Sequence, residues 1–442
     1  MRAEVGLFTH NILFRGSSNS QWHDKIEACP DGFDNDEHAI QTCFQGRFGE
    51  ETGSDEYGAH IMIHPKEIDS GLAIAHIENI EMNYVGQAFR IGRYPMHWHR
   101  VGDVSSFGGY FRHNSIRKAF NRGHVFHNTH SLLFEHNVIF DCMGGCVFVE
   151  DGIETNNVIQ YNLIAFVKAS TSLINDDVTP ASMWITNAAQ TVRHNHIAGS
   201  THFGIWYRMN KHPDAASFDP DICQQRVPLT EFTNNTVHSV GWFGLWTFEH
   251  FYPHGEGIDS CWSNEPTPAK FTNSKFWRCN KGVEFFDVGA VQADNIIVAD
   301  NFEAGIEYKR VYGTKWGKQG AYLSNITMAA KSVKNPVVLD DSPSEGGFRG
   351  LVMPDSSGLT VDGIDFIGWD GSNGGKPIGG AFITCICQGN CGGFEWRFKN
   401  VRWMSGSGKR RKINWRWRNE ATVRSKNLVR LPQFGHFWRF SE

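Results

Sequence analysis

Several features that define other protein classes are scarce in this sequence of 442 residues. Charged residues make up only 20% and the formal net charge is −5, which excludes a disordered tail, a coiled coil and a polycation built for nucleic acid. No apolar run reaches the roughly 18 residues that a membrane-spanning helix needs. The spacing Cys-x-x-Cys is also absent, so the 10 cysteines do not indicate a structural zinc site.

A secretory signal pattern is missing from the first residues, yet other features favour an extracellular location. Cys29 and Cys43 flank an acidic, turn-rich loop that we expect a disulfide to close. Asn234 and Asn325 each begin a glycosylation sequon. We therefore expect the sequence to be an internal piece of a larger secreted or cell-surface protein, with any membrane attachment outside it.

What is abundant indicates β-structure. There are 46 glycines against 15 prolines, and aromatic residues reach 13% with 15 Trp and 33 Phe. Glycine, aromatic and β-branched residues together are typical of an all-β protein. The length exceeds what one compact core serves, so either two or three domains or one repeat architecture is expected.

A short strand pattern with a central asparagine recurs along the chain. Clear copies occupy residues 111–116, 134–139, 159–164, 192–197, 232–237 and 271–276. A glycine precedes a second strand about nine residues after five of these asparagines and after Asn295 of a degenerate copy at 294–297. These glycines are Gly123, Gly145, Gly204, Gly244, Gly282 and Gly305. The first two asparagines, Asn114 and Asn137, are 23 residues apart, which suits a coil of two or three short strands.

The repeat predicts an all-β fold, a right-handed parallel β-helix with inserted loops. Stacked coils bury a face that one coil cannot bury alone. We expect the asparagine to take the left-handed corner of each coil while its amide bonds to the next copy. An antiparallel sandwich is the alternative, but it gives no reason for asparagine and glycine at a fixed offset.

We divide the chain into three parts on this basis. Residues 1–75 form an N-terminal cap and the first coils, including the Cys29/Cys43 loop. Residues 76–330 form the central repeats, and residues 331–442 form the C-terminal coils and cap.

Aligning the strands that follow the glycines predicts which side chains share a face. We stack residues 96–100 on 124–128 and 146–150, and continue through 205–208, 245–249 and 283–287. The alternation of a β-strand then places the first and third columns inside and the second and fourth outside. In this register Cys146 points inward, and we expect Cys142 and Cys146 to be free thiols.

The outward columns contain tryptophan, arginine and histidine, which suit polysaccharide recognition. Flat rings stack on sugars, and arginine or histidine bonds to hydroxyl or carboxylate groups. The predicted binding residues are Arg93, Trp206, Arg208, Trp246 and Glu284. The alternative is that inserted loops cover these aromatic residues, which then form a second small core.

The densest polar cluster lies at residues 93–103. His97 and His99 share one face of a strand, and His127 is expected one coil beyond His99. With an acid nearby these three histidines can bind a divalent metal such as Ca²⁺ or Zn²⁺, or can transfer protons in glycosidic cleavage. The predicted metal ligands are His97, His99 and His127; the predicted catalytic residues are those three together with Asp103 and Asp151.

Several segments of the sequence resemble the fibrocystin-L family. The resemblance covers nearly the whole chain and is carried by residues 2–7, 92–99, 102–103, 150–155, 181–187, 201–210 and 223–229. Trp98 departs from it, because relatives usually have Phe between the two histidines. The resemblance implies a parallel β-helix that follows an eight-glycine β-domain, in a secreted or cell-surface protein. Its hyaluronan-degrading branch implies that this scaffold can act on a glycosaminoglycan.

We therefore expect an extracellular or cell-surface β-helix whose partner is a polysaccharide or glycoprotein of the matrix, not nucleic acid. One alternative is an enzyme that depolymerises hyaluronan or a related polysaccharide through the histidine and carboxylate cluster. Another is a structural spacer whose repeats set a length.

Overall fold

A computed structural model describes residues 4–17, 56–88, 91–170, 175–255, 266–330, 349–369 and 395–404. It also gives the backbone of the short strands at 26–27, 52–53, 382–384, 412–414 and 420–422. The predicted Cys29/Cys43 disulfide lies outside the described residues. None of the helices in these ranges is long and apolar enough to cross a membrane.

The chain forms two compact units. Unit 1 comprises Met1–Arg208 and His212–Gln224, and unit 2 comprises Met209–Lys211 and Gln225–Glu442. Helical segments are short: α1 spans Asn175–Val178, and 3-10 turns span Ala215–Ser217, Gln224–Arg226 and Gly317–Gln319.

The strands of unit 1, in chain order, are β1 (Ile12–Arg15), β2 (Ile26–Glu27), β3 (Thr52–Gly53), β4 (Ile61–Ile63), β5 (His76–Glu78), β6 (Ile80–Val85), β7 (Met96–Asp103), β8 (Tyr110–Arg112), β9 (Ser115–Ala119), β10 (His124–His130), β11 (Leu133–Glu135), β12 (Val138–Met143), β13 (Val147–Val149), β14 (Val158–Gln160), β15 (Leu163–Lys168), β16 (Ala181–Ile185), β17 (Thr191–Arg193), β18 (His196–Ser200) and β19 (Phe203–Tyr207).

The strands of unit 2 are β20 (Glu231–Thr233), β21 (Thr236–Val240), β22 (Phe243–Phe251), β23 (Ala269–Thr272), β24 (Lys275–Trp277), β25 (Lys281–Val288), β26 (Val291–Asp294), β27 (Ile297–Ala299), β28 (Ala304–Val311), β29 (Tyr322–Ala329), β30 (Arg349–Met353), β31 (Thr360–Ile367), β32 (Phe382–Thr384), β33 (Arg397–Trp403), β34 (Lys412–Asn414) and β35 (Glu420–Thr422).

Unit 1 is a stack of three-stranded coils. A typical coil consists of β8, β9 and β10, and each strand pairs in parallel with the strand at the same place in the next coil. One column, which we call the histidine sheet, contains β4, β7, β10, β13, β16 and β19 in that order. The predicted parallel β-helix is thereby confirmed.

Unit 2 repeats this arrangement. Its β22, β25, β28, β30, β32 and β34 form one parallel column, and β35 adds to β34 in the antiparallel direction. The strands β29, β31 and β33 are long enough to cover both remaining sides of a coil. Their inward side chains, Leu323, Val361 and Ile364 among them, are fully buried.

The repeated asparagines of unit 1 form a buried ladder between β-strands of successive coils. The Oδ1 atom of Asn137 accepts the backbone N–H of Asn114 at 3.0 Å, and Asn162 accepts that of Asn137 at 3.0 Å. Each side-chain amide also donates to a backbone carbonyl, as Asn137 does to Phe111 at 3.0 Å. Because every ladder residue is satisfied only by the adjacent coils, the ladder fixes their spacing and register.

The corner geometry corrects one expectation. In unit 1 the left-handed residue is not the ladder asparagine but the residue before it: His113, His136, Tyr161 and His194 have φ between 53° and 55°. Their rings stack along the corner with centroid separations of 4.9, 4.9 and 4.6 Å. The asparagine needs an extended backbone to aim its amide inward, so the strained φ falls on its neighbour.

The alignment of the third coil also needs correction. The sequence pairing placed Cys146 beside His124, whereas the structure pairs His124 with Val147. Cys146 occupies the place that Gly123 has one coil earlier, where a Cβ on Gly123 would lie 2.8 Å from the carbonyl oxygen of Cys146. Gly145 follows its asparagine by eight residues rather than nine, and this shorter offset caused the slip.

Three described cysteines, Cys142, Cys146 and Cys279, are buried free thiols. The expectation that Cys142 and Cys146 are unpaired is therefore confirmed. Cys223 is disulfide-bonded.

Replacing Asn137 by alanine tests the ladder. Asn137→Ala leaves the N–H of Asn114 and the carbonyl of Phe111 without their partners, so we expect unfolding to become easier by at least about 2 kcal/mol. The control His136→Asn keeps a residue that tolerates the left-handed corner, and its effect should stay below about 1 kcal/mol. Denaturant unfolding of both variants measures this, and equal effects would contradict the ladder's role.

Candidate functional site

The histidine sheet brings one polar side chain per coil into a single column. Ile63, Trp98, Phe126 and Val149 are paired neighbours on β4, β7, β10 and β13. The residues that follow them are His64, His99, His127 and Glu150. Once the third coil is in its true register, Glu150 follows His127 in this column.

Three histidines converge at the centre of this column. The Nδ1 atoms of His99 and His127 are 3.1 Å apart, and one ring nitrogen from each of His97, His99 and His127 lies within 4.8 Å of the others. Glu150 completes the cluster: its Oε2 is 3.2 Å from Nδ1 of His127 and 3.9 Å from Nε2 of His97. We call these four residues the histidine cluster.

Two of the imidazoles are oriented by a second partner. His97 donates its Nδ1–H to the carbonyl oxygen of Gly92 at 3.1 Å, so its Nε2 presents a lone pair to the cluster. On His127, Nε2 is 2.9 Å from Oδ2 of Asp151, which also accepts the hydroxyl of Ser217 at 2.6 Å. Such partners fix the tautomer and the ring plane of a metal-binding histidine.

A buried ion pair holds Glu150 in place. Its Oε1 accepts hydrogen bonds from Tyr94 at 3.2 Å and from Nη1 of Arg122 at 3.0 Å. Arg122 also donates its Nε–H to Asp177 at 3.1 Å, and Asp177 accepts the N–H of Gly145 at 3.0 Å. The inserted segment that contains α1 therefore holds Arg122, and Arg122 in turn holds Glu150.

The electrostatics of the histidine cluster are unusual. Burial, together with the charge of His99, lowers the pKa of His97 to about 3. Burial and His127 lower the pKa of His99 to about 4. For His127, burial opposes protonation, but the contact with Asp151 and the charges of Glu150 and Asp151 raise its pKa overall. Burial raises the pKa of Glu150, against the opposing effect of Arg122.

These directions describe two neutral imidazoles, His97 and His99, beside the more readily protonated groups His127 and Glu150. His97 Nε2 is buried and has no hydrogen-bond partner among the described residues. The carboxylates of Glu150 and Asp151 favour a positive charge at the centre, either a proton on His127 or a metal ion. Three imidazole nitrogens with one carboxylate suit Zn²⁺ and similar metals, whereas Ca²⁺ prefers oxygen ligands throughout.

Asp103 does not join the cluster. It is exposed at the end of β7, pairs with His130 on the next coil, and accepts the backbone N–H of Ser105 at 2.9 Å. Asp151, by contrast, lies beside His127 as the orienting carboxylate.

The predicted aromatic surface is not exposed in unit 1. Trp206 is only 7% exposed and packs on Trp184 and Phe203 at ring separations of 4.4 and 4.7 Å. Arg208 is half-buried, 3.8 Å from Asp214. Trp206 is therefore a core residue, as the alternative of a loop-covered second core had it, and it presents no ring face to solvent.

Two of the predicted binding residues lie in unit 2. Trp246 is half-buried and donates its Nε1–H to Glu284 at 2.9 Å. Glu284 is buried and pairs with Lys281, whose Nζ is 2.7 Å from Oε2 of Glu307. This buried ion network leaves Glu284 no free surface. The remaining predicted residue, Arg93, is exposed in unit 1 and lies 3.1 Å from His60.

Sequence reasoning missed several residues of this site. Glu150 was missed because the slipped alignment removed it from the column of His99 and His127. His64 was accessible to the same column argument one coil earlier. Tyr94, Arg122, Asp177 and Ser217 come from turns and inserted loops, where the repeat carries no signal.

The stacked parallel coils define the chain as a parallel β-helix protein. The family model "CEMIP beta-helix" matches residues 56–245, which include all of the cluster.

Within that class, the chain belongs to the fibrocystin-L family. It is 49% identical to human fibrocystin-L over 429 residues, which is 96% of this chain and 10% of that protein. It is 30% identical to the human cell surface hyaluronidase CEMIP2 over 271 residues, covering 54% of this chain and 18% of the relative. The mouse cell migration-inducing and hyaluronan-binding protein is 29% identical over 271 residues. The match covers 54% of this chain and 18% of the mouse protein. The chain spans about a tenth of the length of the fibrocystin-L proteins that it matches.

Replacing Arg122 by leucine tests the support beneath the cluster. Arg122→Leu leaves Asp177 buried without its cation, so we expect a loss of about 3–5 kcal/mol in the free energy of unfolding at neutral pH. The pKa of Asp177 is already raised by burial and would rise further. The folded state would then bind a proton more tightly than the unfolded state, so the deficit should shrink as the pH is lowered.

Denaturant unfolding at two pH values measures this effect. The double variant Arg122→Leu/Asp177→Asn removes both charges and should recover part of the loss. A deficit below about 1 kcal/mol, or one that does not depend on pH, would contradict a buried ion pair.

Proposed function

We propose that this chain is the β-helix of a cell-surface protein that binds an extracellular polysaccharide of the hyaluronan class at its histidine sheet. We further propose that His97, His99 and His127 hold a divalent transition metal there. The names of two relatives support the substrate class, because one is a hyaluronidase and another a hyaluronan-binding protein.

The observation that carries the metal is the convergence of three imidazole nitrogens in the cluster. Three imidazole nitrogens lie within 4.8 Å of one another, and the rings of His97 and His127 are oriented from outside. The Nδ1 atoms of His99 and His127, 3.1 Å apart, can share one hydrogen or can both bind a metal ion. Nε2 of His97 is buried without a hydrogen-bond partner among the described residues, and this favours the metal ion. A bound metal would supply the positive charge that a uronate carboxylate or a sugar hydroxyl requires.

The exposure of the histidines indicates the side from which a ligand reaches the cluster. His97 is buried, but His99 and His127 are half-buried and His64 is exposed beside them. Arg100 lies next to His99 and pairs with Asp69 at 2.7 Å. A polysaccharide would therefore meet imidazole and guanidinium groups first, and the metal position beyond them.

Zinc binding by ligand and control variants tests the metal. Calorimetric titration of the metal-free chain should show Zn²⁺ binding that His127→Ala abolishes and Asp151→Asn weakens by about 10–100-fold, because Asp151 only orients the ring. The matched controls are Asp103→Asn and His113→Asn, neither of which should change affinity. If the unaltered chain binds no Zn²⁺, or if Asp103→Asn weakens binding as Asp151→Asn does, the site is wrong.

Hyaluronan oligosaccharides immobilised on a sensor surface test the substrate class. Binding should fall with a chelator and in His127→Ala, and should return when Zn²⁺ is added to the unaltered chain. Trp246→Ala lies in unit 2 and should leave binding unchanged. Loss of binding in Trp246→Ala but not in His127→Ala would move the site to unit 2 and overturn this proposal.

A second function, cleavage of the polysaccharide, is favoured by one observation. In the metal-free chain, His127 and Glu150 both have raised pKa values and lie 3.2 Å apart, so together they can hold a proton for a glycosidic oxygen. Size-exclusion chromatography of hyaluronan after incubation should then show shortening that Glu150→Gln abolishes without loss of binding. The control Glu135→Gln should cleave normally. If the unaltered chain does not shorten hyaluronan, the cleavage proposal fails and only the binding proposal remains.

A further inference from the structure

Two asparagines of unit 2 occupy the same place in the repeat and each begins a sequon. Asn234 and Asn325 are exposed at coil corners, with φ of 54° and 52°, and a threonine follows two residues later. The neighbouring Asn235 is buried and bonds to Ser274 of the next coil. The corner thus turns the sequon asparagine outward while the ladder position points inward.

A polar cleft adjoins one of these residues. Asn325 lines a cleft of about 620 Å³ together with Lys318, Tyr322, Asp362 and Arg402. Its volume falls in the range that accommodates a small ligand. Its described lining offers ammonium, guanidinium, phenol, amide and carboxylate groups, which match the hydroxyl groups of sugars and not the surface of an apolar molecule.

The side chain of Asn325 is positioned at the edge of this cleft. Its Nδ2 donates to Oδ1 of Asp294 at 2.8 Å, and Ser324 donates its hydroxyl to the same oxygen at 2.6 Å. An amide nitrogen carries two hydrogens, so a substituent on Nδ2 removes one and leaves the other for Asp294. Modification is compatible with the hydrogen bond that orients the side chain.

We propose that Asn325 carries an N-linked glycan whose first sugars lie in this cleft, and that Asn234 carries an unsheltered one. The bond formed is between Nδ2 and C1 of the first sugar. The bond broken joins C1 to a phosphate oxygen of a lipid-linked pyrophosphate oligosaccharide, and the lipid pyrophosphate leaves as the amide proton is lost. This inference rests on the extracellular location in the proposed function, but not on the metal or the polysaccharide.

Secretion of the full chain from a eukaryotic cell line, with glycopeptide mapping, tests occupancy. Glycans are expected at Asn234 and Asn325, and each should disappear in Asn234→Gln or Asn325→Gln alone. A glycan at Asn234 with none at Asn325 would overturn the inference, and so would the absence of both.

Enzymatic removal of the glycans tests the cleft. Under native conditions, glycan release from Asn325 should be about tenfold slower than glycan release from Asn234. This ratio corresponds to about 1.4 kcal/mol of free energy for binding of the glycan in the cleft. After denaturation the two rates should become equal. Equal native rates would show that the Asn325 glycan lies in solvent, which overturns the cleft assignment. The Zn²⁺ and hyaluronan measurements test residues of unit 1. Their outcome is therefore independent of the glycan measurements on Asn234 and Asn325.

Discussion

In each unit the polar groups of one coil are satisfied by the coils beside it, and this constraint fixes the register of the stack. Asn137 illustrates it, because its oxygen accepts the N–H of Asn114 while its own N–H donates to Asn162. A shift by one residue would break these bonds and turn each buried side chain toward solvent. Residues at equal distances from the corner must therefore lie beside one another.

The histidine cluster is a consequence of that register. His99, His127 and Glu150 come from three coils and meet only because their strands are paired without a shift. The same pairing fully buries the neighbouring side chains of Trp98, Phe126 and Val149, so the strands that hold the site are fixed by core packing. Imidazole nitrogens and a carboxylate that would move apart in a mobile loop are held close together here.

The fold was predictable because the same residue types recur at the same places in successive coils, where they meet the same packing requirement. A buried asparagine and a glycine in close contact with the next coil recur at a nearly constant offset, and no other architecture explains both. The shorter offset at Gly145, eight residues instead of nine, displaced Val147 by one place and removed Glu150 from the predicted column. Local spacing could not reveal this, since Cys146 takes a position that glycine holds elsewhere, as at Gly123.

The amino-acid sequence alone determined the parallel β-helix, the family, and the approach of His97, His99 and His127, because strand period and coil length are properties of the chain itself. The tertiary structure decided what surrounds them. It buried Trp206 against Trp184 and Phe203, and it left Asp103 outside the cluster. It also brought in Arg122, Asp177 and Ser217 from segments outside the repeat. Loop contacts depend on packing between distant residues, which no local pattern encodes.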